Sequence, residues 1–271
     1  MVQLKDTGVV VTGAGAGIGA ALARRFAAEG ARLVVNDLDG AAAARVARET
    51  GGLAVPGDAA AEEGVSALVT AARGHLGEID LFCANAGVEP GGGADAPDRL
   101  WEQTWSVNVM GHVRAARLLL GPWLERGRGH FLATVSAAGL LTHADSAPYA
   151  VSKHGALAFA EWLSATHGDR GITVQALCPM GVRTAMYERT PPGARAALTG
   201  AVLTPEEVAE VTVEGLADGR FLILPHPEVG DHYAHRAADT DRWLRGMRRV
   251  RDRIERVTEQ TGPVTETPPG P

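Results

Sequence analysis

Seven short runs of β-branched and aliphatic residues, separated by alanine-rich stretches, leave this chain few ways to fold. The runs lie at 9–11, 33–35, 53–55, 79–83, 131–135, 172–177 and 221–224 and read as strands. Helical stretches fit at 18–29, 39–49, 60–75, 98–125, 148–167 and 204–217. Strand and helix in strict alternation predict an α/β fold, a doubly wound parallel sheet of about seven strands. The last of these helices carries its own start signal: Thr204 as cap, Pro205 in the first position and Glu207 three residues on, the pattern of a capping box. There is no repeat of solenoid type. With 271 residues and 45% apolar content, the chain can bury one sizeable core. Residues 1–225 are therefore expected to form a single domain, 226–257 a C-terminal helical extension, and 258–271, rich in Pro, Thr and Glu, a disordered tail.

Charge and apolar patterning remove several functions. A net charge of -6 argues against broad nucleic-acid binding, which needs a basic surface to meet phosphates. No run approaches the roughly 18 apolar residues of a membrane span. MVQLKDTGVVVTG enters a strand directly and has no long apolar signal core. Cys83 and Cys178, the only cysteines, each sit in an apolar strand-like run and are expected as two buried thiols in a reducing, cytoplasmic setting. A metal site is not expected: His226, His232 and His235 near Asp231 lack a second ligand pair of recognised spacing.

The first strand ends in TGAGAGIG, residues 12–19, and runs straight into a helix. Gly13, Gly15, Gly17 and Gly19 allow a tight turn, and the helix N-terminus offers unpaired N–H groups to a pyrophosphate. This makes the sheet Rossmann-like. The second strand ends in Asn36 and Asp37. A carboxylate there accepts hydrogen bonds from ribose hydroxyls and repels a 2′-phosphate, so NAD is favoured over NADP. Ala14 and Ala16 add no cation to offset that repulsion. Asp58, beside Ala59 after the third strand, could bond the adenine or cap a turn. Asn85, Ala86 and Gly87 end the fourth strand with small residues suited to a close backbone approach. Asn108, in WSVNVMG, is either a polar core residue bonded to backbone or part of a proton path.

Within TVSAAGLLTHADSAPYAVSK, residues 134–153, Tyr149 and Lys153 are four apart. If Pro148 opens a helix, both project from the same face of its first turns. Lysine is otherwise found only at position 5, so arginine is the default cation and position 153 departs from it. A compact ammonium can approach a phenol and a ribose hydroxyl together, which a planar guanidinium does less readily. Lowering a phenol's pKa by ~3 units needs roughly 4 kcal/mol, and a nearby positive charge acts in that direction. Taken alone, a tyrosine and lysine at this spacing are equally an ordinary half-buried aromatic and a solvated charge.

Together these motifs, with a Pro-x-x-Val-x-Thr stretch at 179–184, resemble the short-chain dehydrogenase/reductase family over residues 5 to about 224. The resemblance implies hydride transfer between a nicotinamide cofactor and a secondary alcohol or ketone. It implies Tyr149 as general acid/base, Ser136 bonding the substrate oxygen, Lys153 lowering the tyrosine pKa and holding the nicotinamide ribose, and Asn108 supporting a water relay. Ile18, Pro179, Val182 and Thr184 join the glycine turn, Asp37, Asp58, Ala59 and residues 85–87 as cofactor contacts. It also implies a homodimer or homotetramer through the helices at 98–125 and 148–167. A non-catalytic dinucleotide sensor would have no need of Ser136, Tyr149 and Lys153. Enoyl reductases resembling this family usually separate the tyrosine and lysine more widely.

Two departures bear on the substrate. Pro179-Met180-Gly181 stands where the family commonly has Pro-Gly, and the usual glycine-rich ending is replaced by a long basic extension. After Thr184, Met186, Tyr187, Leu198, Val202 and Leu203 suggest an apolar lid. Ala137, Ala138, Leu140 and Leu141 point the same way, so a moderately hydrophobic small molecule is expected, with Ala138, Met180, Met186 and Tyr187 at its pocket. Arg183 or Arg189 could bind a carboxylate, though a solvated role suits each. In the extension, Trp243, Met247, Val250, Ile254 and Val257 form an apolar stripe on an arginine-rich helix. Packing on its own domain or a second subunit is expected, ahead of a membrane surface.

Overall fold

The computed structural model describes residues 4–197 and 200–261. Seven parallel strands form one sheet in the order β3-β2-β1-β4-β5-β6-β7. They are β1 (Gly8–Val11), β2 (Arg32–Val35), β3 (Leu53–Ala54), β4 (Leu81–Ala84), β5 (Gly129–Thr134), β6 (Ile172–Leu177) and β7 (Leu222–Ile223). The chain winds outward from β1 to β3, then returns to place β4 on the other side of β1. That reversal opens a crevice beyond the carboxyl ends of β1 and β4, where such sheets bind ligands.

Strand residues alternate between two cores because successive side chains point to opposite faces. Val10, Phe82, Phe131 and Val174 pack on α3 (Glu62–Leu76), α5 (Gly111–Arg126) and α7 (Ala147–His167). Val9, Val11, Leu81, Cys83 and Leu132 pack on α1 (Gly17–Ala28), α2 (Gly40–Thr50) and α10 (Pro205–Asp218). The expected capping box at the start of α10 forms: Thr204 Oγ1 accepts the Glu207 N–H at 3.2 Å, and Glu207 Oε2 accepts the Thr204 N–H at 2.7 Å. Cys83 and Cys178 are both buried free thiols.

The structure departs from the sequence reading in three places. The single helix expected over 98–125 is broken: α4 (Asp98–Trp105) passes through a π-helical segment, Ser106–Met110, before α5 begins. Such a segment inserts one residue per turn and is frequent at functional sites; here it carries Asn108. The expected lid forms short helices, α8 (Ala185–Arg189) and α9 (Pro192–Ala197), with Leu198 lying outside the described residues. Finally, after α6 (Ala138–Leu141) and α11 (Glu228–Ala238), the last helix α12 runs Thr240–Thr261, beyond the end expected at Val257. Glu259 and Gln260 continue a helix readily.

The stripe on α12 meets its own chain. A Cβ on Gly193 of α9 would come within 2.5 Å of the Ile254 carbonyl, so only glycine lets the two backbones pack this closely. Arg236 on α11 donates to the Leu140 carbonyl and fastens the extension over α6.

Candidate active site

The crevice is one continuous cavity of about 1230 Å³ that runs from the β1 turn to α12. Every cofactor contact expected from sequence lines it except Gly15, as do Ala138, Met180, Met186 and Tyr187; of the expected apolar cover, Leu140, Val202 and Leu203 do not, and of the four catalytic residues, Asn108 does not.

At the dinucleotide end the glycines are sterically required. Gly13 has φ +60° and a Cβ there would lie 2.9 Å from Ala86 Cα; on Gly19 it would lie 2.2 Å from the Gly13 carbonyl. Gly15 is buried behind the turn, its N–H bonded to Asp37 Oδ2 at 2.8 Å and its carbonyl to Arg45 Nη2 at 2.8 Å. Asp37 thus fixes the turn as well as facing the cleft. Ala16 caps α1 without a side-chain acceptor, which leaves the first-turn N–H groups for an anion. Asp58 Oδ1 accepts the Ala60 N–H at 2.8 Å, the turn role, while the side chain still lines the cleft. Leu38, 75% exposed beside Asp37, offers an apolar surface for a base. These features fit a dinucleotide: a backbone stripped of Cβ atoms, an uncapped helix start and a carboxylate at the ribose position.

Thr12 and Asn85 hold that end together. Thr12 Oγ1 accepts the N–H groups of Asn85 and Ala86 at 3.0 and 3.1 Å, and Asn85 Nδ2 donates to the carbonyls of Thr12 and Gly13 at 2.9 and 3.2 Å. Both are struts between β1 and β4. Asn108 does similar work from the π-helical segment: Oδ1 accepts the Val88 N–H at 2.9 Å, and Nδ2 donates to the Val88 carbonyl at 3.0 Å and to Ser152 Oγ at 2.9 Å. A Cβ on Gly87 would meet Asn108 Oδ1 at 3.3 Å and Lys153 Nζ at 3.4 Å. Glycine at 87 leaves room for both groups beside the backbone.

At the reacting end, Pro148 stands in the first turn of α7, as expected, and brings Tyr149 and Lys153 onto one buried face. The Lys153 ammonium is 3% exposed, donates to the Thr134 carbonyl at 2.9 Å and lies 5.6 Å from the centroid of the Tyr149 ring. Burial holds its pKa down to about 8, with Cys178 and Glu89 opposing. Tyr149 behaves differently from the sequence expectation. Burial and then Glu89 push its pKa up, while the Ser136 hydroxyl draws it down. In the protein alone the phenol therefore keeps its proton: desolvation is the largest influence on it, and Glu89 acts in the same direction. Ser136 Oγ also accepts the Ala138 N–H at 3.1 Å, which fixes it at the start of α6.

The turn after β6 is clipped by His226, whose Nδ1 accepts the Met180 N–H at 3.2 Å and whose Nε2 reaches the Ala201 carbonyl at 3.1 Å. Val182 pairs with Leu203, and Thr184 caps α8 through the Tyr187 N–H at 3.3 Å. Beyond them, Met180, Met186 and Tyr187 line the same cleft as Trp243, Met247, Val250 and Ile254 of α12. The stripe of α12 is thus an outer wall of the pocket. The sequence shows that these positions are apolar and not what they face. Glu89 and His143, which line the cleft near Tyr149, were missed altogether: both lie in irregular segments where no periodicity marks a buried polar residue.

The fold and the cleft define an oxidoreductase that uses a nicotinamide dinucleotide and works between alcohol and carbonyl. The model of the short chain dehydrogenase family matches residues 7–194. Among curated proteins, 1-deoxy-11-beta-hydroxypentalenate dehydrogenase of Streptomyces exfoliatus is 38% identical over 240 residues, covering 83% of this chain and 85% of that protein. The 3beta-hydroxysteroid dehydrogenase 1 of Eggerthella lenta is 35% identical over 222 residues, covering 76% and 85% respectively. A short chain dehydrogenase/reductase from Burkholderia phymatum, solved in complex with NAD, superposes with a TM-score of 0.80 at 29% identity, over 89% of this chain and 96% of that one. The chain belongs to the short-chain dehydrogenase family.

Proposed function

We propose that this protein interconverts a hydrophobic secondary alcohol and its ketone with NAD(H), using Tyr149 as general acid/base. The observation that carries the reading is that Ser136, Tyr149 and Lys153 share one buried face of the cavity whose other end is the glycine turn and Asp37. Gly13, Gly17, Ile18 and Gly19 would hold the pyrophosphate, and Asp37, Asp58 and Ala59 the adenosine. Asn85, Ala86, Gly87, Pro179, Val182 and Thr184 would surround the nicotinamide. When bound, the nicotinamide supplies the hydride donor or acceptor.

The chain's own residues handle the proton. Ser136 orients the substrate oxygen against the phenol. In reduction, Tyr149, protonated because it is buried, gives its proton to the forming alkoxide. In oxidation the phenol must first be deprotonated, and Lys153 is the positive side chain placed to favour that state. Asn108, by fixing Val88 and Ser152, keeps the backbone beside Lys153 in place for a water path to solvent. The methionines, Tyr187 and the α12 stripe favour an apolar substrate, and the relatives named for a hydroxypentalenate and a hydroxysteroid support that reading.

The NAD preference rests on Asp37. Asp37→Asn keeps an oxygen for the Gly15 N–H and removes the charge, beside an Arg45 that already reaches this rim. The ratio of kcat/KM with NADH to that with NADPH is expected to fall ~10–100-fold, the scale of a charge repulsion at the protein surface. An unchanged ratio would remove Asp37 from cofactor choice. Exposed Trp105, Val151 and Trp162 on α4 and α7 support a homo-oligomer, and the unbonded thiols a cytoplasmic location. NADH consumption over ketones, enoyl thioesters and phosphorylated sugars, with NADPH as control, tests the whole reading. Preference for a phosphorylated sugar would overturn it.

A further inference from the structure

Glu89, in the segment after β4, is 15% exposed at its side chain, and His143, between α6 and α7, is 21% exposed. His143 Nε2 lies 3.4 Å from Glu89 Oε1. Nδ1 of the same ring accepts the Asp145 N–H at 3.3 Å. A neutral imidazole that accepts at Nδ1 carries its proton on Nε2, so the N–H lies on the Glu89 side of the ring, at a distance longer than an ordinary hydrogen bond. The imidazole stands edge-on to the Tyr149 ring with centroids 5.9 Å apart. A carboxylate is thereby held one imidazole away from the proton donor, on the wall of the substrate cavity.

The charges around it leave that carboxylate under-compensated. Asp145 beside His143 repels it, while Lys153 and Tyr149 face it from α7. Among the described residues His143 is the one basic side chain with a nitrogen within 4 Å of the carboxylate, and burial holds that imidazole below its ordinary pKa, so it brings little positive charge at pH 7. Burial raises the Glu89 carboxyl to about 6, so it remains ionised at pH 7–8. An ionised carboxylate can accept about four hydrogen bonds, and His143 at 3.4 Å offers it one long contact. A half-satisfied buried charge is destabilising unless a further donor arrives.

Building on the reading above, we propose that Glu89, aimed by His143, is a second recognition point for the substrate. It accepts a hydrogen bond from a hydroxyl or N–H that the hydrophobic alcohol or ketone carries away from its reacting carbon. The pocket thus takes a hydrophobic substrate with a second polar donor and rejects one with a carboxylate at that point.

The test compares NADH-dependent reduction of 1-tetralone with that of 2-, 3- and 4-hydroxy-1-tetralone at pH 7.5, in the wild type and in Glu89→Gln. The wild type is expected to favour at least one hydroxy isomer over the parent by ~10-fold or more, the scale of a hydrogen bond to a charged group. Glu89→Gln is expected to cut that preference at least tenfold, the loss falling on the hydroxylated ketone. Thermal unfolding without substrate is the second readout. The folded pKa of about 6 lies above the ordinary 4.5, so ionised Glu89 weakens the fold at pH 8, and this effect fades as pH falls through 6 towards 4.5. Glu89→Gln should therefore raise Tm by several degrees at pH 8 and by little near pH 5. No preference in the wild type, an equal preference in the variant, or a lower Tm at pH 8 would overturn the proposal. If none of the four ketones is reduced while NADH still binds, the hydrophobic-ketone reading itself fails.

Discussion

Tyr149→Phe is expected to lower turnover by at least ~100-fold, the lower end of what general acid/base catalysis contributes, while NADH binding survives. The substitution removes one oxygen from a ring that is already buried, so the ring's contacts with His143 and the Lys153 ammonium are kept. The wild type should also show a pH signature. Burial and Glu89 keep the phenol protonated at neutral pH, so alcohol oxidation should climb as pH rises from 7 to 10, because the phenolate fraction climbs with it. Carbonyl reduction needs the protonated form and should not. Initial rates in both directions across that range, with NADH binding followed by fluorescence, decide the matter. Near-normal turnover by the variant would remove Tyr149 from the mechanism.

The second large effect is expected at Lys153, where activity and stability should move in opposite directions. Burial lowers the ammonium's pKa from 10.5 to about 8, so at pH 7 the charged lysine destabilises the fold by roughly 3 kcal/mol. The folded pKa lies below the unfolded one, so this penalty is complete below pH 8 and disappears as pH rises towards 10.5. Lys153→Met fills the same space without the charge. It leaves the Thr134 carbonyl without its donor, which offsets about 1–2 kcal/mol. A net gain on the order of 1–2 kcal/mol at pH 7 is expected in denaturant titrations, shrinking by pH 10. Turnover should fall ~100-fold or more, since the group placed to stabilise phenolate is gone. Equal losses of stability and turnover would make Lys153 a structural residue.

The contrast between these two residues also shows where sequence reasoning was sufficient. The sheet was legible because its strands are short apolar runs, and β6 begins and ends where the run does, at Ile172 and Leu177. The glycine turn was legible because backbone approach leaves no room for side chains at 13 and 19. Less was visible where a pattern has two physical solutions. Ser-Val-Asn-Val-Met carries the same apolar spacing in an α-helix as in the π-helical segment it forms, and only the hydrogen-bond pairing differs. Tyr149 and Lys153 were placed correctly on one face, yet the sign of the phenol's shift depends on how dry that face is, which spacing does not state. Glu89 and His143 come together across 54 positions from two irregular segments, and nothing local to either announces the other.

The division between α7 and α12 has an evolutionary consequence. In the proposed reading, proton handling is complete by Lys153, whereas an outer wall of the cavity is contributed by a helix that begins at Thr240. Recombination of the closing coding segment between related genes would change one wall of what such an enzyme accepts and leave the residues proposed for its chemistry untouched. Paralogues diverging in that segment could then acquire new substrates without passing through an inactive intermediate.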